Sequence, residues 1–247
     1  MTIEEYNKYG EELEQLLFLR DSPIAIKMIE KEADIPGNAF RPKRDQGQHL
    51  AQCQAFAMSR RQGKTVAMLK EDHWCFGPLM AYGLVEDPDD EFIRNNTDFP
   101  CFELDRYIGM VTAPLKNAAF EPDMVMIYTE PAQVRKLLMA VKFGEKINII
   151  SEFDPIDSCA YAVVPVIEKN EYRITIPDPG EYARTAVRED EIIFSIPKER
   201  LPMVITSLKK VVEMESQHSF GDIVLMPDFP RPDFYKKVFE KWGLDTE

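Results

Sequence analysis

The chain has 247 residues, with 43 acidic against 30 basic side chains and a formal net charge of −13. That length suits one large domain or two small ones, and the acidity repels phosphate backbones, so nucleic-acid binding is disfavoured. No run approaches the ~18 apolar residues of a membrane helix, and the N-terminus lacks the basic, then apolar pattern of an export signal.

Four cysteines are too few for a secreted disulfide scaffold. The expectation is therefore a cytoplasmic protein with reduced thiols and no membrane contact. Residues 3–18 place Ile3, Tyr6, Tyr9, Leu13, Leu16 and Leu17 at helical spacing, with acids opposite. In PIAIKMIE (23–30), Ile24, Ile26 and Met28 alternate with smaller or polar neighbours, which predicts a strand. Residues 31–47 hold Pro36, Gly37, Pro42 and Gly47 and read as loop. A helix is expected over 48–61, with Leu50, Cys53 and Ala57 in a stripe widened by Phe56 and a stop at Gly63. TVAMLK (65–70) predicts a short strand, and a second helix over roughly 75–84 takes Pro78 in its first turn. Residues 86–121 are irregular around Asp87-Pro88-Asp89-Asp90 and Asn95-Asn96, with a strand within 106–115.

PDMVMIYTE (122–130) and PAQVRKLLMAVKFG (131–144) predict strand then helix, with Pro131 at the first helical position and Gly144 as the stop. INIISEF, CAYAVVPVIE and YRITIP read as further strands. DEIIFSIP (190–197) and the helix over 198–215 repeat the strand–proline–helix order, a possible internal duplication. The tail DFPRPDFYKKVFEKWGL ends in a short helix with Phe234, Val238 and Trp242 on one face. Because the late strands are adjacent, the expected fold is α+β: a mixed or antiparallel sheet with helices packed on it. One domain is expected over 1–247, with a helical tail from about 216.

His49, Cys53, His73 and Cys75 gather two of the three histidines and two of the four cysteines into one short stretch. On a helix, His49 and Cys53 are four apart and share a side. His73 and Cys75 sit where a strand gives way to a helix. Such donors suit zinc, or iron with partial thiolate ligation, although the spacing matches no established motif. An iron–sulfur cluster needs all four cysteines, which lack the compact spacing of known clusters. Cys53 on an apolar stripe equally suits packing as a small hydrophobe.

A basic group, including Arg60 and Arg61, stands out in this acidic chain and suits an anion clamp for a carboxylate or phosphate. A solvated helix end is the alternative. Glu181, Tyr182 and Arg184 fall between two strands, where Arg184 adds a third ligand-binding candidate. No P-loop, G-x-G-x-x-G, G-x-S-x-G or H-E-x-x-H occurs, so no reaction type or catalytic residue is read. The functions considered are a small-ligand or metal/cofactor-binding protein, a regulatory module with inert buried cysteines, and an enzyme pairing one activated Cys with a His on a small anionic substrate. The size and the sheet edges also suit a homodimer.

A family resemblance lies in the order of short segments. These are the P-I-A-I-K strand, Cys53 followed by Ala57 and Gly63, Cys75 before Gly83-Leu84, P-D-M-V at 122–125 followed by Gln133 and Leu137, Cys159, and D-E-I-I-F-S-I-P. Together they resemble the bacterial and archaeal family of uncharacterised ArCR proteins, domain of unknown function 169, over roughly residues 10–210. The resemblance implies a shared fold and a prokaryotic, often anaerobic, setting. It carries over no catalytic residues. It also implies a Gly-rich, Arg-containing segment before the last strand, which here is DPGEYARTAVRED, with Gly180 and Arg184.

Overall fold

The computed structural model describes residues 1–86, 99–217 and 231–244. Six strands, β1 (Ile24–Ile29), β2 (Val66–Leu69), β3 (Gly109–Pro114), β4 (Met124–Thr129), β5 (Arg173–Thr175) and β6 (Ile192–Pro197), form one sheet in the order β2-β3-β1-β4-β6-β5. Every pairing is antiparallel. The helices are α1 (Ile3–Leu17), α2 (Pro42–Gln46), α3 (Gln52–Gln62), α4 (Phe76–Ala81), α5 (Pro131–Glu145), α6 (Ser158–Tyr161), α7 (Val164–Glu168), α8 (Pro179–Arg184), α9 (Leu201–Gln217) and α10 (Asp233–Lys241). The chain divides into two compact units, Met1–Val212 and Glu213–Glu247; α10 belongs to the second. The fold is α+β, and among the described residues no helix is long and apolar enough to cross a membrane.

The sheet is covered on both faces, which explains strands that read as near-continuous apolar runs. One face carries Ala25, Ile29, Val111, Val125, Ile127, Phe194 and Ile196 against Leu13 and Leu17 of α1, Leu137 and Val141 of α5, and Val204 and Leu208 of α9. The other carries Ile26, Met28, Met110, Met124, Met126, Tyr128 and Ile193 against Phe56 of α3, Ala81 of α4, and residues of α6 and α7. Long helices thus cover the first face. Short helices and their connections cover the second, where polar groups are also buried.

Local chemistry starts α1. Thr2 Oγ1 accepts from the Glu5 N–H at 3.3 Å, and Glu5 Oε2 accepts from the Thr2 N–H at 2.7 Å, a reciprocal cap. Farther along, Gly10 lets the helix lie against backbone. A Cβ there would stand 2.5 Å from Lys116 N and 3.0 Å from the Leu115 carbonyl carbon. Gly10→Ala is therefore expected to destabilise by about 1–3 kcal/mol, despite alanine's better helix propensity. Urea denaturation checks this, and an unchanged or raised midpoint would contradict the close approach.

Several expectations are corrected. CAYAVVPVIE is not a strand but the helices α6 and α7. Nearly all its side chains are buried, so no period distinguishes helix from strand, and Pro165 sits in the first turn of α7. INIISEF lies outside every strand and exposes Ile150 and Phe153. Gly144 does not stop α5, whose left-handed cap is Lys146. Instead a Cβ at Gly144 would fall 1.9 Å from Met203 Sδ, so α5 and α9 meet there. The loop 31–47 contains α2. Helix α3 begins at Gln52 because residue 50 is drawn into a bridge with His73. The turn residues at 87–90 and 95–96 lie outside the described residues.

Candidate functional site

The bridge between Leu50 and His73 builds the site. Leu50 N–H donates to the Asp72 carbonyl at 2.9 Å, and Trp74 N–H donates to the Leu50 carbonyl at 2.8 Å. The buried Asp72 carboxylate accepts from the N–H groups of Lys43 (2.8 Å) and Leu69 (2.9 Å), holding that turn in place. These contacts clamp the start of α3 beside the start of α4 and bring Cys53 and Cys75 to one cavity of about 230 Å³. Helix α6 adds Cys159 to its lining, and α8 with its cap adds Asp178 and Arg184. Gln52 and Asp157 complete the polar lining, with Phe76 and Pro78 among the apolar walls.

Two glycines shape the lining. A Cβ at Gly77 would lie 2.9 Å from Asp157 Oδ1, and one at Gly180 would lie 2.3 Å from Arg184 Nη1. The Arg184 guanidinium stacks over the Trp74 ring at 4.7 Å and lies beside the Cys53 thiol. Among the described residues it makes no ion pair. Gln52 is 1% exposed; among the described residues its Oε1 has no donor and its amide nitrogen reaches only Met110 Sδ, at 3.4 Å. A larger hollow of about 610 Å³ runs along α5, but among the described residues no buried ionisable group lines it.

Two of the thiols, Cys53 and Cys159, are held neutral. Burial pushes Cys53 up to about 12, aided by the charges of Glu181 and Asp178 and opposed by Arg184. Burial also pushes Cys159 well above the ordinary thiol range. Neutral thiols are poor nucleophiles and poor metal ligands. Asp157 is raised to about 6 by burial and by the charges of Asp154 and Asp178.

Behind the cavity wall lies a buried polar group. Ser158 Oγ is 2.7 Å from Glu181 Oε1 and 2.9 Å from Asp178 Oδ2. Tyr128 donates its hydroxyl to Glu181 Oε2 at 2.7 Å. Asp178 Oδ1 caps α8 by accepting from the Glu181 N–H at 3.0 Å. Burial raises Glu181 to about 7, and the Asp178 charge adds to this, against the hydrogen bonds from Ser158 and Tyr128.

Of the residues singled out from sequence, Cys53, Cys75 and Arg184 meet at this cavity. His49 is exposed and takes no part in the lining. His73 is packed inside, with its ring against the edge of Tyr82 at 6.5 Å; burial lowers it to about 4, so it is a neutral core ring. Cys101 is exposed and lines a separate hollow, so four thiolates do not meet. Among the described residues no three His, Cys, Asp or Glu are arranged to hold a metal.

Arg60 and Arg61 are not free to clamp an anion, because their guanidinium groups are engaged internally. Arg60 pairs with Glu191 and Asp21, and Arg61 with Asp21 and the carbonyls of Thr185 and Ala186. Gln52, Asp157, Ser158 and Asp178 were not legible as site residues. The only signal near them is the Asp178-Pro179-Gly180 start of a helix.

The profile of the family described as uncharacterised ArCR matches residues 12–207. An uncharacterised protein of Methanocaldococcus jannaschii is 22% identical over 228 residues, covering 85% of this chain and 96% of that protein. No solved structure matches the chain. The matched span holds all six strands and every residue lining the cavity. The chain therefore belongs to the family of uncharacterised ArCR proteins, domain of unknown function 169.

Proposed function

We propose that this is a cytoplasmic small-ligand-binding protein whose cavity takes a compact carboxylate bearing an N–H or O–H donor. Arg184 carries the reading: its guanidinium belongs to the cavity lining and makes no ion pair among the described residues, while Gln52 of the same lining has an amide oxygen that accepts no hydrogen bond among them. A buried acceptor left unmatched costs about 1–3 kcal/mol, so an occupant that reaches Gln52 with a donor is favoured over one without. Arg184 offers a planar fork to the acid group, held in place by stacking on Trp74. Cys53, Cys75 and Cys159 line the space for the ligand's less polar part. At about 230 Å³ the cavity is smaller than drug-sized pockets and suits a small metabolite. The four cysteines are unbridged, which fits a reducing compartment.

The test is thermal melting in the presence of a panel of small hydroxy, amino and simple carboxylic acids, with inorganic phosphate alongside. At least one donor-bearing carboxylate is expected to raise Tm, and more than its analogue without the donor. Arg184→Gln is expected to weaken that Kd about tenfold or more, the scale of a charge-assisted hydrogen bond. If no acid shifts the melt, or if the shift is the same in R184Q, the reading fails.

A further inference from the structure

The hydrogen bonds around Ser158 balance fully only when one carboxyl is protonated. A serine hydroxyl has a single proton to donate. Its oxygen nevertheless stands within hydrogen-bond distance of two carboxyl oxygens, Glu181 Oε1 at 2.7 Å and Asp178 Oδ2 at 2.9 Å. Two ionised carboxylates would have to share that proton in a weak three-centre bond, whereas one carboxylic acid and one carboxylate each make a full one. In that fuller arrangement one contact is a carboxylic acid donating to Ser158 Oγ, while Ser158 donates to the other.

The surroundings decide which carboxyl holds the proton. Asp178 caps α8 through its Oδ1, accepting from the Glu181 N–H, and lines the cavity. Glu181 lies deeper, and its other oxygen accepts from Tyr128 of β4. Arg60 of α3, the cation over that tyrosine ring, is already committed to Glu191 and Asp21. From the remaining elements packed around Glu181, Cys53 of α3 and Tyr82 beyond α4 are held neutral. Tyr182 sits beside Glu181 on α8 and is also raised by burial. Glu181 is thus the neutral member and Asp178 the charged one.

Resting on the reading that this cavity is the ligand site, we infer that Glu181, Ser158 and Asp178 form a proton wire serving it. The proton sits on Glu181 and points to Ser158, whose own proton points to Asp178 at the wall. When a negative charge in the cavity raises the basicity of Asp178, the wire shifts. Ser158 passes its proton to Asp178 and receives the one from Glu181. The exchange leaves Asp178 neutral and Glu181 ionised, with no net gain or loss of protons within the trio. The cavity is in this way equipped for a ligand or reaction that needs one proton at a fixed wall position.

The test needs no ligand, so its outcome is separate from that of the melting panel. The full-length protein, labelled with ¹³C at glutamate carboxyls only, is titrated by NMR, which leaves Asp157 unseen. One glutamate is expected to titrate near 7, against about 4.3 for an ordinary glutamate. Asp178→Asn is expected to move that midpoint down by removing the neighbouring charge, and Ser158→Ala to change it by removing the link. Infrared difference spectra between wild type and Glu181→Gln are expected to show a protonated carboxyl band at neutral pH that Asp157→Asn retains. If every glutamate in the wild type titrates below about 5, the proton is not held there and the wire is refuted. If the high midpoint exists but ignores both D178N and S158A, Glu181 is a lone buried acid and the wire is refuted as well.

Discussion

Arg60→Met is expected to destabilise the protein by about 3 kcal/mol or more, the scale of breaking a buried ion pair from one side. The Arg60 side chain leaves the last turn of α3 and is almost fully enclosed. Its two terminal nitrogens meet the two Glu191 oxygens at 3.1 Å each, and Nη1 also meets Asp21 Oδ2 at 3.0 Å. The plane lies over the Tyr128 ring, 3.6 Å from its centroid. One side chain thereby ties α3 to the turn before β1, to the segment before β6 and to β4.

Removing it strands the buried Glu191 carboxylate, which is now held below its usual range by Arg60 and Arg61 against the effect of burial. Arg61 at 3.4 Å and the Arg188 N–H at 3.0 Å remain, which places the loss toward the low end of the buried-pair range. Arg60→Met with Glu191→Leu is expected to recover most of it, since no unpaired charge is then left inside. Urea denaturation, which leaves ionic strength unchanged, measures both. A loss under about 1 kcal/mol for the single variant would mean that the pair behaves like a surface one.

The second large effect is in the pH dependence of stability, where two buried groups oppose one another. Glu181 has a raised value in the folded protein, about 7 against 4.5. Between those values the folded state binds more protons than the unfolded one, so its contribution is full below 4.5 and is lost as pH rises through 7. The loss is about 3 kcal/mol at 1.36 kcal/mol per pH unit.

His73 is the reverse. Burial lowers it to about 4 from 6.5, so the unfolded state binds the extra proton and stability falls as pH drops through that window. That loss is also about 3 kcal/mol. In wild type the two slopes largely offset each other between pH 4.5 and 6.5. Glu181→Gln should expose the His73 slope, with stability rising across that interval. His73→Phe, which removes no hydrogen bond made among the described residues because neither ring nitrogen has one there, should expose the Glu181 slope, with stability falling. Urea midpoints at a series of pH values test this; parallel profiles for the three proteins would disprove it.

The contrast between these residues shows how far the chain alone could be read. The strands β1 to β4 and β6, the helices α1, α5 and α9, and the α+β class follow from local pattern, because each long element presents its own period or caps. Pro131 starts α5 where its missing N–H costs nothing. CAYAVVPVIE reads as a strand yet folds as α6 and α7, because a segment buried on nearly every side has no periodic signal. Within the site, Cys53, Cys75 and Arg184 stood out by residue type. Ser158 and Gln52 did not, because a hydroxyl or an amide gains significance only from what surrounds it.

Arg60 and His73 make the same point in the other direction. Both look functional as letters, yet one is spent on Glu191 and Asp21 and the other is an uncharged core ring. Residue order by itself determined most of the long elements and the acidity, and it drew attention to Cys53, Cys75 and Arg184, since these depend on residue type or on neighbours a few positions apart. Which polar groups converge and which cations are already paired inside the fold were decided only by tertiary structure. Burial and hydrogen-bond partners come from residues more than a hundred positions away, as Glu191 does for Arg60.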